Sequence, residues 1–452
     1  MVEKSSSVIN SCCENHTERV AAYRLINNPR LVMDDIVSSL SSACSAGCEG
    51  LSHVLCVQDT TEMVFSHEGR LSLDDKDFGY GTNEHGKFCI FAHPGMVLDA
   101  SSRMPVGLGH VKIWSRERSE KRSKKQRRGK VRLEQKESYR WLETARKTVA
   151  SLPCGVRVTM VGDRENDVYS VMCRTLECGC DFLVRSMHDR PVDCDLDGGR
   201  MGIRAFMQHQ PVAYEYDLEL RGHKGRKART ARMQLRFAEV TIRKNEKCLD
   251  DVPDGLACYC VYAVEDASTV PDGEQPVEWR LLTSHVVETV GQAVECVEWY
   301  KCRWFIEEFF RVCKSEGFRI ESVQLESGAA VKKLIVLTLW AALRCVALKR
   351  AYDEQDEAVP ASRMFDDEEQ ELLGLEMERL HSRSPKALDG RNPFRENSLP
   401  WAVWIIARMG GWSGYVSAHG KPGYITIKQG LDRFHWHLEI ITFAKARDVY
   451  KE

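Results

Sequence analysis

Residues 300–314 read YKCRWFIEEFFRVCK, and the placement of their charges decides how the rest of the chain is read. The stretch continues a helical pattern that begins at Val297. At about 100° of turn per residue, with Tyr300 at zero, Arg303 falls at about 300°, Glu307 at about 340°, Lys314 at about 320° and Arg311 at about 20°. Cys302, Phe305, Ile306, Phe309, Val312 and Cys313 collect on the opposite side. The pattern predicts a helix with an apolar stripe facing the core and one acid set among three cations and a tyrosine. Salt bridges from Glu307 to Arg303 and Arg311 would account for a solvated face, at a few tenths of a kcal/mol each. They leave unexplained the company of Tyr300 and Trp304 on that side, which suits an anion-binding surface around a metal-binding carboxylate.

Upstream, apolar runs alternate with turn signals. His53–Val57, Gly86–Leu98 and Pro105–Trp114 read as strands, and Lys136–Ala150 as a helix. Val156–Val161 reads as a strand, Val168–Leu176 as a helix and Phe182–Arg185 as a strand. The order β-β-β-α-β-α-β is typical of an RNase H-like α/β core, a mixed sheet flanked by helices. Asp59 follows the first strand and Asp163 the fourth, at the ends where reactive side chains gather in open sheets. An Asp after a strand is by itself a turn former. A third acid, Glu307, on an anion-binding helix changes that reading.

Four spaced residues, Tyr300-x2-Arg303-x3-Glu307-x6-Lys314, match the Y-R-E-K signature of the insertion-sequence-four family of DDE transposases. Asp59-Thr60-Thr61 resembles that family's first-aspartate motif and Asp163-Arg164-Glu165 its second. Further matches are Ala21-Ala22-Tyr23-Arg24, Lys136-Glu137-Ser138, Val184-Arg185-Ser186, Trp279 with Leu281-Leu282-Thr283-Ser284, and Ile406-Ala407-Arg408-Met409-Gly410-Gly411. The resemblance runs from about Ser6 to about Phe443.

The resemblance implies a division into a helical N-terminal region (1–50), a catalytic core (51–187 and 295–350), a β-rich insertion (188–294) and a helical C-terminal dimerisation region (351–452). It implies two Mg²⁺ or Mn²⁺ ions held by Asp59, Asp163 and Glu307, with Asp59 bridging. Tyr300, Arg303, Lys314, Arg185 and Trp304 would contact DNA, and Trp279 would receive a flipped base during hairpin formation. The activity implied is nicking at transposon ends, hairpin formation and reopening, and joining to target DNA by a homodimer. Two departures stand out. The family usually has a helical region that helps recognise transposon ends before the stretch corresponding to Ser6–Leu25, where this chain almost starts. Either the start is misplaced, or the ends are recognised differently, or this is a shortened form that could pair with full-length subunits and inhibit them. Met187 stands where the family carries a basic residue after Arg185-Ser186, so one phosphate contact fewer is expected.

Composition sets bounds on this reading. Hydrophobic residues are 43% and charged residues 29% of 452, ordinary for a globular chain, and the net charge is −2. DNA contact must therefore come from local basic surface. One such stretch holds Lys121, Arg122, Lys124, Lys125, Arg127, Arg128 and Lys130; the other holds Arg221, Lys224, Arg226, Lys227, Arg229 and Arg232. Eighteen cysteines without a signal-peptide pattern argue for a reducing cytoplasm, which the resemblance implies is that of a prokaryotic cell. Cys173, Cys178 and Cys180, or Cys44 and Cys48, fit zinc spacings poorly and read as small buried apolar residues. Leu334–Leu348, interrupted by Thr338 and Arg344, reads as a core helix and not a membrane span.

Overall fold

The computed structural model describes residues 6–13, 15–65, 75–82, 88–116, 131–193, 199–220, 222, 227–246, 248–383 and 391–449. Its centre is the pair β1 (His53–Gln58) and β5 (Arg157–Gly162), which run parallel with Val57 opposite Val161. On the far side of β1 lies antiparallel β3 (Cys89–Asp99), which carries antiparallel β4 (Pro105–Trp114). On the far side of β5 lies parallel β6 (Asp181–Arg185). A short strand, β2 (Thr61–Val64), pairs back onto the other end of β3, with Thr61 opposite Ala92. The sequence pattern gave no sign of β2. Asp59 therefore lies in a two-residue connection between two strands, and not at the start of a long loop.

These strands read as unbroken apolar runs because both faces are covered. Leu55, Val57, Met96, Leu98, Val161 and Leu183 share one core with Ile306, Phe309, Leu334 and Leu339. Val54, Cys56, Val97, Val158 and Met160 share another with Cys44 and Ala145, from helices α2 (Met33–Gly47, which follows α1, His16–Ile26) and α3 (Tyr139–Ser151), and with Cys48 just past α2. Alternation along the strands divides the residues between the two layers.

The segment between β6 and the acid-bearing helix adds strands to the same sheet. β12 (Glu278–Thr283) pairs with β6, placing Leu281 opposite Arg185. β11 (Gly255–Glu265) and β10 (Arg229–Arg243) follow, and β7 (Pro191–Asp193), β8 (Arg200–Gly202) and β9 (Tyr214–Leu220) complete a twelve-stranded sheet. α4 (Tyr169–Glu177) and α5 (Ile203–His209) pack on this side around Phe182 and Tyr262.

The continuous helix expected from Val297 to Lys314 is instead two helices, α6 (Val290–Lys301) and α7 (Trp304–Lys314). At the junction the amides of Cys302, Arg303, Phe305 and Ile306 each bond the carbonyl three residues back, a tightened 3₁₀-like turn. Tyr300, near the end of α6, is buried, where the periodicity of a continuous helix had set it on the open face. A long core helix, α8 (Gly328–Glu354), follows, then α9 (Asp367–Arg383), α10 (Leu399–Met409) and α11 (Tyr424–Val449). α10 and α11 cross at glycines: a Cβ at Gly430 would lie 1.9 Å from the Ile406 carbonyl oxygen, and one at Gly410 2.0 Å from that of Thr426. Among the described residues, no helix is long and apolar enough to cross a membrane.

Candidate active site

Asp59 and Asp163 each stand two residues past the paired Val57 and Val161. That spacing directs both toward the face where α7 packs, since alternate residues share a face. Asp59 Oδ1 accepts from the Thr60 amide at 2.7 Å, and its other oxygen lies 3.6 Å from Arg303 Nη1. Burial, and then the neighbouring Asp163 carboxylate, push the Asp59 carboxyl up to about 7. Asp163 caps the turn Arg164–Asn166, its Oδ1 accepting from the Glu165 amide at 2.8 Å.

Glu307 lies in the first turn of α7, paired with Arg303 as the helical spacing allows. Arg303 thus touches both Asp59 and Glu307. Tyr300 packs edge-on against Trp279, with ring centroids 5.9 Å apart. Burial raises its phenol pKa, while the guanidinium groups of Arg303 and Arg185 draw it back. Arg185 Nη2 donates to the Glu278 carbonyl at 2.8 Å, beside Trp279. The structure thereby brings Asp59, Asp163, Glu307, Arg303, Tyr300, Arg185 and Trp279 into one neighbourhood. Lys314 sits at β2, donating to the Glu62 carbonyl and lying 3.7 Å from Glu321. Trp304 is 52% exposed.

Residues that the sequence pattern did not single out stand behind the acids. Arg140, on α3, is buried; its Nε donates to Thr60 Oγ1 at 2.7 Å and its Nη2 to Glu165 Oε2 at 2.6 Å. His93, on β3, is fully buried between Thr60 and Gln58, and that burial holds its pKa well below the ordinary range. One signal was available: Arg140, Thr144 and Thr148 recur at helical spacing on a buried stripe, where an arginine needs partners. Asp167, with a fully buried side chain, takes the amides of Met187 at 2.7 Å and His188 at 3.0 Å, and Arg190 Nη2 at 2.7 Å. Met187, at the position where a basic residue was expected, contributes this amide and leaves its side chain exposed.

The donor set suits a hard cation. Two carboxylates converge, one of them buried, and their repulsion is what a divalent ion relieves. Among the described residues, no group of three His, Cys, Asp or Glu is arranged to hold a metal. Mg²⁺ needs only one or two carboxylates besides water and substrate phosphate, and Asp59 and Asp163 are the residues that could hold one. Of the two basic stretches, residues 121–130 lie outside the described residues, as do Arg221, Lys224 and Arg226. Arg229 is used internally, against Glu265, whereas Arg232 is exposed 3.7 Å from Asp217. Cys44, Cys48, Cys173 and Cys180 are buried free thiols, and Cys178 is half-buried.

Adjacent parallel strands of a mixed sheet thus end beside Asp59 and Asp163, facing the helix that carries Glu307. The family model described as the transposase DDE domain matches residues 85–344, more than half of the 452, and the chain belongs to that family. The matched span includes Asp163, Trp279, Tyr300, Arg303, Glu307 and Lys314 and begins past Asp59. Membership of a transposase family implies DNA as partner and transposition as activity.

Proposed function

We propose that this chain cuts and rejoins DNA at transposon ends, with Asp59, Asp163 and Glu307 as the metal-binding acids of an RNase H-like core. The observation that carries this reading is the matched placement of Asp59 and Asp163 past β1 and β5, with Asp59 pushed up by burial and by Asp163. The strand order β4-β3-β1-β5-β6 supports the RNase H-like assignment. The Y-R-E-K spacing supports the insertion-sequence-four family and, within it, resemblance to the transposase of transposon Tn-five.

Two Mg²⁺ or Mn²⁺ ions bound there would activate the attacking water or 3′-hydroxyl and stabilise the departing oxygen. The remaining roles belong to the chain itself. Arg303, planar and donor-rich, suits bidentate contact with a phosphate once the carboxylates no longer hold it. Tyr300, Arg185 and Lys314 flank that phosphate, Trp304 offers an open aromatic surface, and Trp279 takes an extruded base by stacking. Arg232 and the basic stretches in the sequence at 121–130 and 221–232 bind backbone phosphates and supply affinity without sequence choice. The division into core, insertion and end regions, a homodimer formed through residues 351–452, and action in a reducing cytoplasm complete this reading.

The test is cleavage of a labelled duplex bearing the element's own end, with Mg²⁺ or Mn²⁺, by this chain and by Glu307→Ala. Nicking by the wild type that falls about a thousandfold or more in the variant supports the proposal. Absence of nicking by folded wild-type protein sinks it, and a DNA-binding, dimerising regulator of transposition becomes the better account.

A further inference from the structure

We infer that Arg140 is a positioning residue that sets the separation of Asp59 and Asp163, because one buried guanidinium bonds the connection behind each acid. This inference rests on the metal-binding role proposed above. The two arms are alike. Arg140 Nε holds Thr60, whose amide holds the Asp59 carboxylate at 2.7 Å. Arg140 Nη2 holds Glu165, whose amide holds the Asp163 carboxylate at 2.8 Å. Nη1 donates to the Glu137 carbonyl at 3.1 Å, anchoring the fork to the start of α3. The donors of a guanidinium are rigidly spaced in one plane, so the two connections sit at a distance that the side chain itself dictates.

Arginine only donates, so Thr60 Oγ1 accepts from it. Thr60 Oγ1 also lies 2.9 Å from His93 Nδ1, and His93 Nε2 lies 3.1 Å from Gln58 Oε1, the tautomer of His93 setting the direction of both bonds. Gln58 Nε2 closes the path on Met160 Sδ of β5 at 3.2 Å. The path runs from α3 through the end of β1 to the neighbouring strand, and Trp141 packs edge-on against His93 at 4.7 Å. Arg140 itself bonds neither acid.

The experiment compares the wild-type chain with Arg140→Gln, Arg140→Lys and Glu165→Gln. Two quantities are read: the Mn²⁺ concentration giving half-maximal nicking of the end duplex, and the rise in Tm caused by Ca²⁺ without DNA. Arg140→Gln is expected to raise the Mn²⁺ requirement about tenfold or more and to erase the Ca²⁺-induced rise. Arg140→Lys, whose ammonium can serve one connection but not both, should fall between Gln and wild type. Glu165, with its side chain 65% exposed, tolerates exchange, and Glu165→Gln should shift the Mn²⁺ requirement about threefold. A lowered basal Tm with an unchanged Mn²⁺ requirement and Ca²⁺ response overturns the inference and leaves Arg140 a structural ion-pair partner. Where Arg140→Gln does not fold, an unchanged requirement in Glu165→Gln overturns it equally. A wild-type chain that neither nicks nor responds to Ca²⁺ instead condemns the metal-binding reading itself.

Discussion

The two halves of the sheet are built on different terms. In the half β4-β3-β1-β5-β6, every residue of β3 is buried, as are five of the six in β1 and in β5. In the other half, β9 has no buried residue and β10 alternates. A strand covered on both faces has its position dictated by two layers of side chains, and that is where Asp59 and Asp163 stand. A strand covered on one face keeps an open surface, and there Arg232 meets solvent. The contrast suits the two tasks proposed above: holding a few atoms in place in one half and offering area to DNA in the other. Between them lies the seam of β6 and β12; past β12, His285 Nε2 lies 2.7 Å from Thr159 of β5 and 3.9 Å from Asp181 of β6, while Asp167 anchors the segment that follows β6.

Removing the buried anchor of the segment after β6 should have the largest effect. Asp167→Ala strands Arg190 and two amides in a buried site and should cost about 3–5 kcal/mol in urea unfolding. A cost below 1 kcal/mol would mean that the segment after β6 does not depend on this residue. Leu55→Ala, in the doubly covered half, should cost about 2–5 kcal/mol. Acid should act beside the seam. Burial holds His285 at about 4, so the unfolded chain takes up its proton near pH 6.5 while the folded chain refuses it until about pH 4. Stability is therefore full above pH 6.5 and declines as pH falls toward 4, by at most about 3 kcal/mol from this group. His110, also held at about 4 by burial, adds to the decline. His285→Gln should shallow the slope between pH 7 and 4.5, and an unaltered slope would remove His285 from the account. The smallest effect on stability belongs to the open face: Arg232→Ala should change unfolding by less than about 0.5 kcal/mol. It should nevertheless lower the slope of log affinity for DNA against log salt by about one. An unchanged slope would move the DNA path away from β10.

The doubly buried half is the part most legible in sequence, because its strands are unbroken apolar runs closed by turn residues. Val156–Val161 was expected where Arg157–Gly162 is found, and Pro105–Trp114 agrees at both ends. The β-rich character of the next segment was legible as well, but its membership of the same sheet was not, since pairing Leu281 with Arg185 leaves no local trace. The break between Cys302 and Trp304 was hidden because no Gly or Pro marks it. There the packing of Tyr300 against Trp279 accompanies a turn that helical periodicity does not anticipate. β2 was hidden by its length, four residues of mixed polarity. For the candidate site, residue types and spacing were enough to nominate the three acids and Arg303. The support from Arg140 and His93 depends on contacts across 80 and 33 residues of chain, which no motif spells out.

The seam also carries a schedule. As the chain leaves the ribosome, β1, β3, β4, β5 and β6 are complete by Arg185, yet the outer edge of β6 has no partner until β12 is made, ending at Thr283. An open edge on an apolar strand invites pairing with another chain, and such surfaces make partly made domains prone to aggregate. The nascent core therefore passes through nearly a hundred residues of synthesis with two acids in hand, an exposed strand and no third acid. Slower elongation between Arg185 and Thr283 would lengthen that interval and lower the yield of folded protein, whereas chaperones that shield strand edges would raise it.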